Sequence, residues 1–205
     1  MNSTEHLEIE HKFLVNAGFD LGEFKRRVRA LKPSHETEVD VRDVYYVPMS
    51  RIPCVLRHRY DHELQQLTMK SIGSKDAEVR TEVNIDLSQA KGDQSTTIRA
   101  FLAPFEIIWS GGLSKRVTAF HLPRCEVVHY TAVADKDIDG AAVAVHCVEF
   151  EAVGCSSVAE AVEVIRSYES MLGFDAATRT KESLFEMILA PAIPAEVRKK
   201  IRVNI

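Results

Sequence analysis

The chain has 205 residues, enough for one large domain, and its 45% hydrophobic content suits a protein that buries a real core. A formal net charge of −4 gives no basis for non-specific binding to nucleic acid or to an anionic membrane. Cys54, Cys125, Cys147 and Cys155 contain no Cys-x-x-Cys pair, which argues against structural zinc, and no apolar run approaches the ~20 residues of a membrane span.

Residues 1–10 are polar and acidic, unlike a secretory signal, so the expected compartment is the reducing cytoplasm with the cysteines as packing residues. Residues 7–15 alternate charged and apolar side chains with period two, which predicts a strand. Residues 20–31 predict a short helix with Asp20 as N-cap, Phe24, Val28 and Leu31 on one face, and Pro33 ending it. Strand patterns follow at 37–47, at 55–60 and 66–71 as a hairpin around Asp61-His62-Glu63, and at 79–87.

Residues 88–104 are polar, then mildly helical. Segments 105–110 and 113–122 read as two strands turning at Gly111-Gly112, and 126–134 and 142–153 as a hairpin across Asp139-Gly140. Residues 158–172 predict an amphipathic helix, capped by Ser156 or Ser157 and closed by Gly173. A second helix is expected at 180–189, with 191–205 as a tail. Eight or nine strands and a few helices, without repeat or linker, predict an α+β fold: one closed antiparallel eight-stranded β-barrel with flanking helices over residues 1–190. An open sheet fits the count nearly as well.

Charge along the strands is the informative feature. Glu8, Glu10 and Lys12, Arg57 and Arg59, Thr68 and Lys70, Arg80 and Glu82, and Glu149 and Glu151 all have i, i+2 spacing, so each set shares one strand face. Any one set alone is a wet face. As a series, opposed by Ile9, Phe13, Leu56, Leu67, Met69, Val83, Val148 and Phe150, they predict a barrel with its apolar side outward and both signs of charge inward. So many enclosed charges need partners. Arginine and lysine match phosphate oxygens, and carboxylates match a hard divalent cation, so a polyphosphate with Mg²⁺ or Mn²⁺ is the expected occupant.

In order along the chain, Glu8-Ile9-Glu10-His11-Lys12, Asp43-Val44-Tyr45-Tyr46, Leu56-Arg57-His58-Arg59, Leu67-Thr68-Met69-Lys70, Arg80-Thr81-Glu82, Lys115-Arg116 and Val148-Glu149-Phe150-Glu151 resemble the motifs of the CYTH superfamily, the triphosphate tunnel metalloenzymes. The resemblance spans about residues 7–189 and implies metal-dependent hydrolysis of a triphosphate inside the barrel, with inorganic triphosphate as first choice. It implies metal ligands Glu8, Glu10, Glu82, Asp135, Glu149 and Glu151, with Asp137 and Asp139 competing for the place of Asp135. It implies phosphate-binding Lys12, Arg57, Arg59, Lys70, Arg80, Arg116 and Lys181, with Arg116 rather than Lys115 turned inward.

Glu8, Glu10 or a Lys12–Tyr45 pair would activate water, and Tyr45 reads equally as an ordinary barrel aromatic. His11 and His58 fall between lining positions and should face outward. Asn84, where relatives often carry a third acid, and Val55, where thiamine triphosphatases carry tryptophan, are departures. Thiamine triphosphate hydrolysis, ATP cyclisation to cyclic AMP and non-catalytic polyphosphate or nucleotide binding are the alternatives. The expected partner is a small triphosphate, not nucleic acid or membrane, for a monomer or homodimer.

Overall fold

Strands form where period-two patterning lets a ribbon bury one face, and the pattern is nearly continuous here. The computed structural model describes residues 5–16, 18–51, 53–71, 79–140 and 144–200. Its strands are β1 (Glu5–Leu14), β2 (His35–Pro48), β3 (Cys54–Tyr60), β4 (Gln65–Ser71), β5 (Val79–Asp86), β6 (Ile107–Leu122), β7 (Cys125–Ala134), β8 (Val145–Ala152) and the short β9 (Arg179–Thr180). The helices are α1 (Leu21–Ala30), α2 (Ser95–Leu102), α3 (Val158–Leu172) and α4 (Ala195–Lys200).

All pairings are antiparallel, in the order β5-β4-β3-β2-β6-β7-β8-β1-β9. Strand β1 divides its partners: its first half pairs with β5 (Glu8 opposite Arg80) and its second with β8 (Glu10 opposite Glu151). The eight-strand run therefore meets its own start, and β9 is a ninth strand added beside β1, with Lys12 opposite Thr180.

Helices α1 and α3 form as their sequences direct. The Asp20 side chain accepts from the Glu23 amide at 2.9 Å, and Ser157 caps α3 through the Glu160 amide at 3.2 Å. Gly173 ends α3 with φ +79°, a left-handed conformation that costs glycine nothing. Both helices pack on the outer face of β1, β6, β7 and β8, burying Ile9, Phe13, Phe24, Val28, Phe120, Val148, Phe150 and Ile165. Each such side chain contributes about 1.5–3 kcal/mol on burial. Helix α2 covers another outer patch, Tyr46 and Leu67, with Ile98 and Leu102.

Behind β1, His11 is fully buried, its Nδ1 2.6 Å from Glu169 of α3, with Arg179 of β9 over the ring at 2.8–2.9 Å. His58 likewise faces outward, against Gln65 at 3.2 Å. Both follow the parity of their strands.

Three expectations are corrected. Gly111-Gly112 is no turn: β6 runs straight through it for 16 residues. A side-chain carbon at Gly111 would strike the Trp109 indole, and one at Gly112 would strike Asp135 and Arg42, so the glycines permit close approach within a strand. The helix expected over 180–189 is instead β9 followed by a single π-helical turn, Phe185–Leu189. Residues 191–193 are not merely a tail, since Ile193 is buried with Leu184, Phe185, Ile188 and Leu189 against Tyr45, Val55, Leu113, Tyr130 and Cys147. These barrel residues share parity with the inward-facing positions, so the C-terminal segment packs over one end of the interior. Among the described residues no helix is long and apolar enough to cross a membrane.

Candidate functional site

The curled sheet encloses a cavity of about 450 Å³. Its cationic wall comes from β3, β4, β1 and β6: Arg57 and Arg59, Lys70, Lys12 and Lys115. Its strand carboxylates are Glu10 on β1, Glu82 on β5, Glu126 on β7, and Glu149 and Glu151 on β8, and Asp61, Glu63 and Glu186 line it from outside the strands. Pleat alternation puts these strand residues there, and the other faces of β1, β3, β4, β6, β7 and β8 meet α1, α2 or α3.

Asp43 organises the cations. It is completely buried, accepts two bonds from Arg59 (Nε 2.9 Å, Nη2 3.1 Å) and lies 2.9 Å from the Lys115 ammonium. Burial alone would raise its pKa, but Arg59, Lys115 and Arg57 hold it well below the usual carboxylate range. Lys115 is pushed down to about 8 by burial and by Arg59, against the pull of Asp43. Arg57 donates from Nη2 to Thr68 Oγ1 at 3.3 Å, while its buried Nε has no hydrogen-bond partner among the described residues. A buried guanidinium N–H left unmade is costly, and an anion in the cavity would satisfy it.

The acidic side is crowded. Glu126, Glu151 and Glu10 stand directly opposite one another across β7, β8 and β1. Like charges at such positions repel unless a cation intervenes. Lys12 bridges Glu10 at 3.0 Å and Glu149 at 2.9 Å, Tyr130 donates to Glu149 at 2.7 Å, and Lys70 pairs with Glu82. His121 lies 3.1 Å from Glu126 at the edge of the row.

Residues 6–180 match the CYTH domain family. The chain belongs to it. No curated protein matches the sequence. Among solved structures, this CYTH chain is similar to the PH1012 protein of Pyrococcus horikoshii OT3 (TM-score 0.65, 21% identity, 88% of this chain and 99% of that one). It is also similar to an adenylate cyclase candidate from Bacillus halodurans (TM-score 0.56, 18% identity, covering 89% and 97%). A third is HpAC1 of Hippeastrum, an adenylyl cyclase candidate described as having a dominant triphosphatase activity (TM-score 0.58, 13% identity, covering 92% and 98%). At these identities the likeness speaks to fold alone.

Within the CYTH fold, Glu10, Lys12, Tyr45, Arg57, Arg59, Lys70, Glu82, Glu149 and Glu151 all line one cavity. Arg116 does not. It is 83% exposed on the outer face beside Asp40, and Lys115 takes the inward place, because the uninterrupted β6 sets 113, 115, 117 and 119 to the interior. Asp135 also lies outside, where its carboxylate accepts two hydrogen bonds from the Arg42 guanidinium on the outer face of β2. Asp137 and Asp139 border the same outer pocket. Lys181 is exposed and away from the cavity lining. The side chains of Glu8 and Arg80 lie outside the described part of the structure.

Sequence reasoning missed three groups. The sequence marks Asp43 only as part of a motif, sets Lys115 outward and leaves Glu126 unmarked. The available signal for Glu126 was its alternation with Val128 and Tyr130, but its placement beside Glu151 needs the hairpin register.

Proposed function

We propose that this CYTH protein hydrolyses the terminal anhydride of a triphosphate with the help of Mg²⁺ or Mn²⁺, inorganic triphosphate being a sufficient substrate. The observation that carries this reading is Arg57: a buried guanidinium with an unmade N–H, in a cavity that also holds Arg59, Lys70 and Lys115. Four cations around one space call for a compact polyanion. Lys12, and Arg80 by its strand position, extend the same grip.

The opposing carboxylates fit a divalent ion. Among the described residues no three-ligand cluster stands preformed, since Lys12 sits between Glu10 and Glu149 as the internal counter-cation. Yet the facing row Glu126–Glu151–Glu10 gains from a cation, and hard oxygen donors suit Mg²⁺ or Mn²⁺. Glu10, Glu149 and Glu151 would hold the ion, with Glu82 assisting and Glu8 contributing from the same strand. When bound, the ion neutralises phosphate oxygens and polarises the anhydride.

Hydrolysis adds a water oxygen to the terminal phosphorus and breaks the anhydride P–O bond. Orthophosphate and pyrophosphate leave when the substrate is inorganic, and the water proton passes to a carboxylate such as Glu8 or Glu10. Tyr45 does not suit the role of base. Burial and Asp43 push it up to about 12, so it stays a neutral donor, packed 5.4 Å from the Phe185 ring. The cationic wall supplies the charge stabilisation that dominates phosphoryl transfer.

The test offers purified protein inorganic triphosphate, thiamine triphosphate and ATP, each with Mg²⁺ or Mn²⁺. Orthophosphate, pyrophosphate and cyclic AMP are quantified. Orthophosphate release from inorganic triphosphate supports the reading, cyclic AMP would reassign the protein as a cyclase, and tight binding without turnover would make it a binding module.

A further inference from the structure

The carboxylate row of the cavity continues into two histidines. Directly opposed positions run His35, His121, Glu126, Glu151 and Glu10 across β2, β6, β7, β8 and β1. All five share the inward parity of their strands, since Thr37, Ala119, Val128, Glu149 and Lys12 line the cavity two residues away. The histidines form the outer end of the row: His121 borders the cavity with 41% of its side chain exposed, and His35 is exposed beside it. Phosphate binding and hydrolysis use neither.

Residues directly opposite on antiparallel strands hold their Cβ atoms about 4.5–5.5 Å apart. The His35 and His121 ring centres lie 5.6 Å apart, with planes 25° from parallel. Two imidazoles sharing one tetrahedral ion, each nitrogen ~2.0–2.1 Å from it, have ring centres about 5 Å apart. The strands therefore already set the separation, and rotation of the exposed His35 about its side-chain bonds aims both rings at one point. Among the described residues this is the only pair of histidines opposed across strands.

The Nδ1 atom of His121 lies 3.1 Å from a Glu126 carboxylate oxygen. A carboxylate there favours the proton on Nδ1 and leaves the Nε2 lone pair for a metal, the arrangement found behind most metal-binding histidines. The facing carboxylates Glu126, Glu151 and Glu10 add a negative potential that draws a cation to this mouth. Among the described residues no three ligands stand preformed, so the protein supplies two nitrogens and water fills the other positions.

We infer that His35 and His121 form a two-imidazole site for a transition-metal ion such as Zn²⁺, Ni²⁺ or Co²⁺ at the mouth of the cavity, with Glu126 orienting His121. Imidazole nitrogen suits these ions, whereas Mg²⁺ and Mn²⁺ prefer oxygen donors. The site is thus chemically distinct from the carboxylates proposed to hold Mg²⁺ or Mn²⁺, and it stands whether or not the protein is a triphosphatase.

The experiment titrates Zn²⁺ into the untagged protein by calorimetry, without triphosphate and with Mg²⁺ in excess to occupy the oxygen sites. One Zn²⁺ per chain should bind, and its affinity should fall by at least about tenfold in His35→Gln and in His121→Gln, because losing even the outer partner of a metal-bound histidine costs about 10–100-fold. His62→Gln, an exposed histidine on the turn after β3, should bind Zn²⁺ as the unaltered protein does. Both mutated histidines are at the surface, and circular dichroism checks that each variant is folded. Equal Zn²⁺ affinity in the unaltered protein and both folded variants, or no Zn²⁺ bound in the presence of Mg²⁺, overturns the site. Neither result touches the triphosphatase reading, which the phosphate-release assay tests separately.

Discussion

A lysine enclosed beside a guanidinium loses its proton far more readily than one in water. Lys115, pushed down from 10.5 to about 8 by burial and by Arg59, is such a group. Its folded pKa lies below its unfolded value, so the native state gains stability as pH rises between about 8 and 10.5, where the unfolded chain binds the extra proton. Phosphate binding has the opposite sign, because only the ammonium attracts the anion. Affinity for triphosphate, measured by calorimetry without turnover, should fall above pH 8 by as much as about tenfold per unit. Lys115→Met should flatten that dependence, whereas Arg116→Ala, on the outer face, should leave both affinity and its pH profile as they are. A second residue-level expectation concerns Glu10. It faces Glu151 and is bonded to Lys12. Glu10→Ala should abolish metal-dependent turnover without lowering the melting temperature by more than a few degrees, because one lost ion pair is offset by relief of carboxylate repulsion. Full activity in Glu10→Ala would show that the metal assignment is wrong.

At the scale of elements, β6 decides which basic residue enters the cavity, and its glycines decide whether β6 is one strand. Gly111→Ala would push a methyl into the Trp109 indole, which packs 6.2 Å from Phe185 in the C-terminal core. Gly112→Ala meets only the flexible ends of Arg42 and Asp135. The first should cost about 1–3 kcal/mol by overpacking. The second should cost at most ~1 kcal/mol, the worth of an exposed ion pair. Urea unfolding of the two variants checks the order, and equal costs would contradict the packing. The same strand explains what the sequence could and could not disclose. Helices α1 and α3 are legible because Asp20, Ser157 and Gly173 act locally. The lining residues of β1, β3, β4 and β8 are legible because alternation within a strand is also local. Lys115 against Arg116, and Glu126 against Asp135, depend on where a strand begins and how it registers with a neighbour. A glycine pair reads as a turn in sequence but serves close packing here. The segment 179–193 is set by burial under the interior residues rather than by its own periodicity, so a uniform helix was the wrong expectation.

The whole molecule encloses two opposite charge distributions in one space. Cations from β3, β4 and β6 crowd one side, and the Glu126–Glu151–Glu10 row crowds another. Lys12 mediates between them, and the enclosing sheet prevents either set from relaxing into solvent. Divalent metal alone relieves only the carboxylates, and triphosphate alone relieves only the cations. Together they supply opposite charges to both sides and bind each other, so their effects on stability should be more than additive. A ligand at 100 times its dissociation constant stabilises the native state by about 2.7 kcal/mol. For a domain of this size each kcal/mol raises the melting temperature by about 2–4 °C, so the pair should shift it by about 5–10 °C. A non-hydrolysable triphosphate analogue with Mg²⁺, followed by differential scanning calorimetry against each component alone, measures this directly. The Arg57→Met variant should lose most of the combined shift while keeping any shift caused by Mg²⁺ alone, since Arg57 belongs to the phosphate side. Equal shifts with and without metal would mean that phosphate and ion do not share the cavity, and the metal would have to be placed elsewhere.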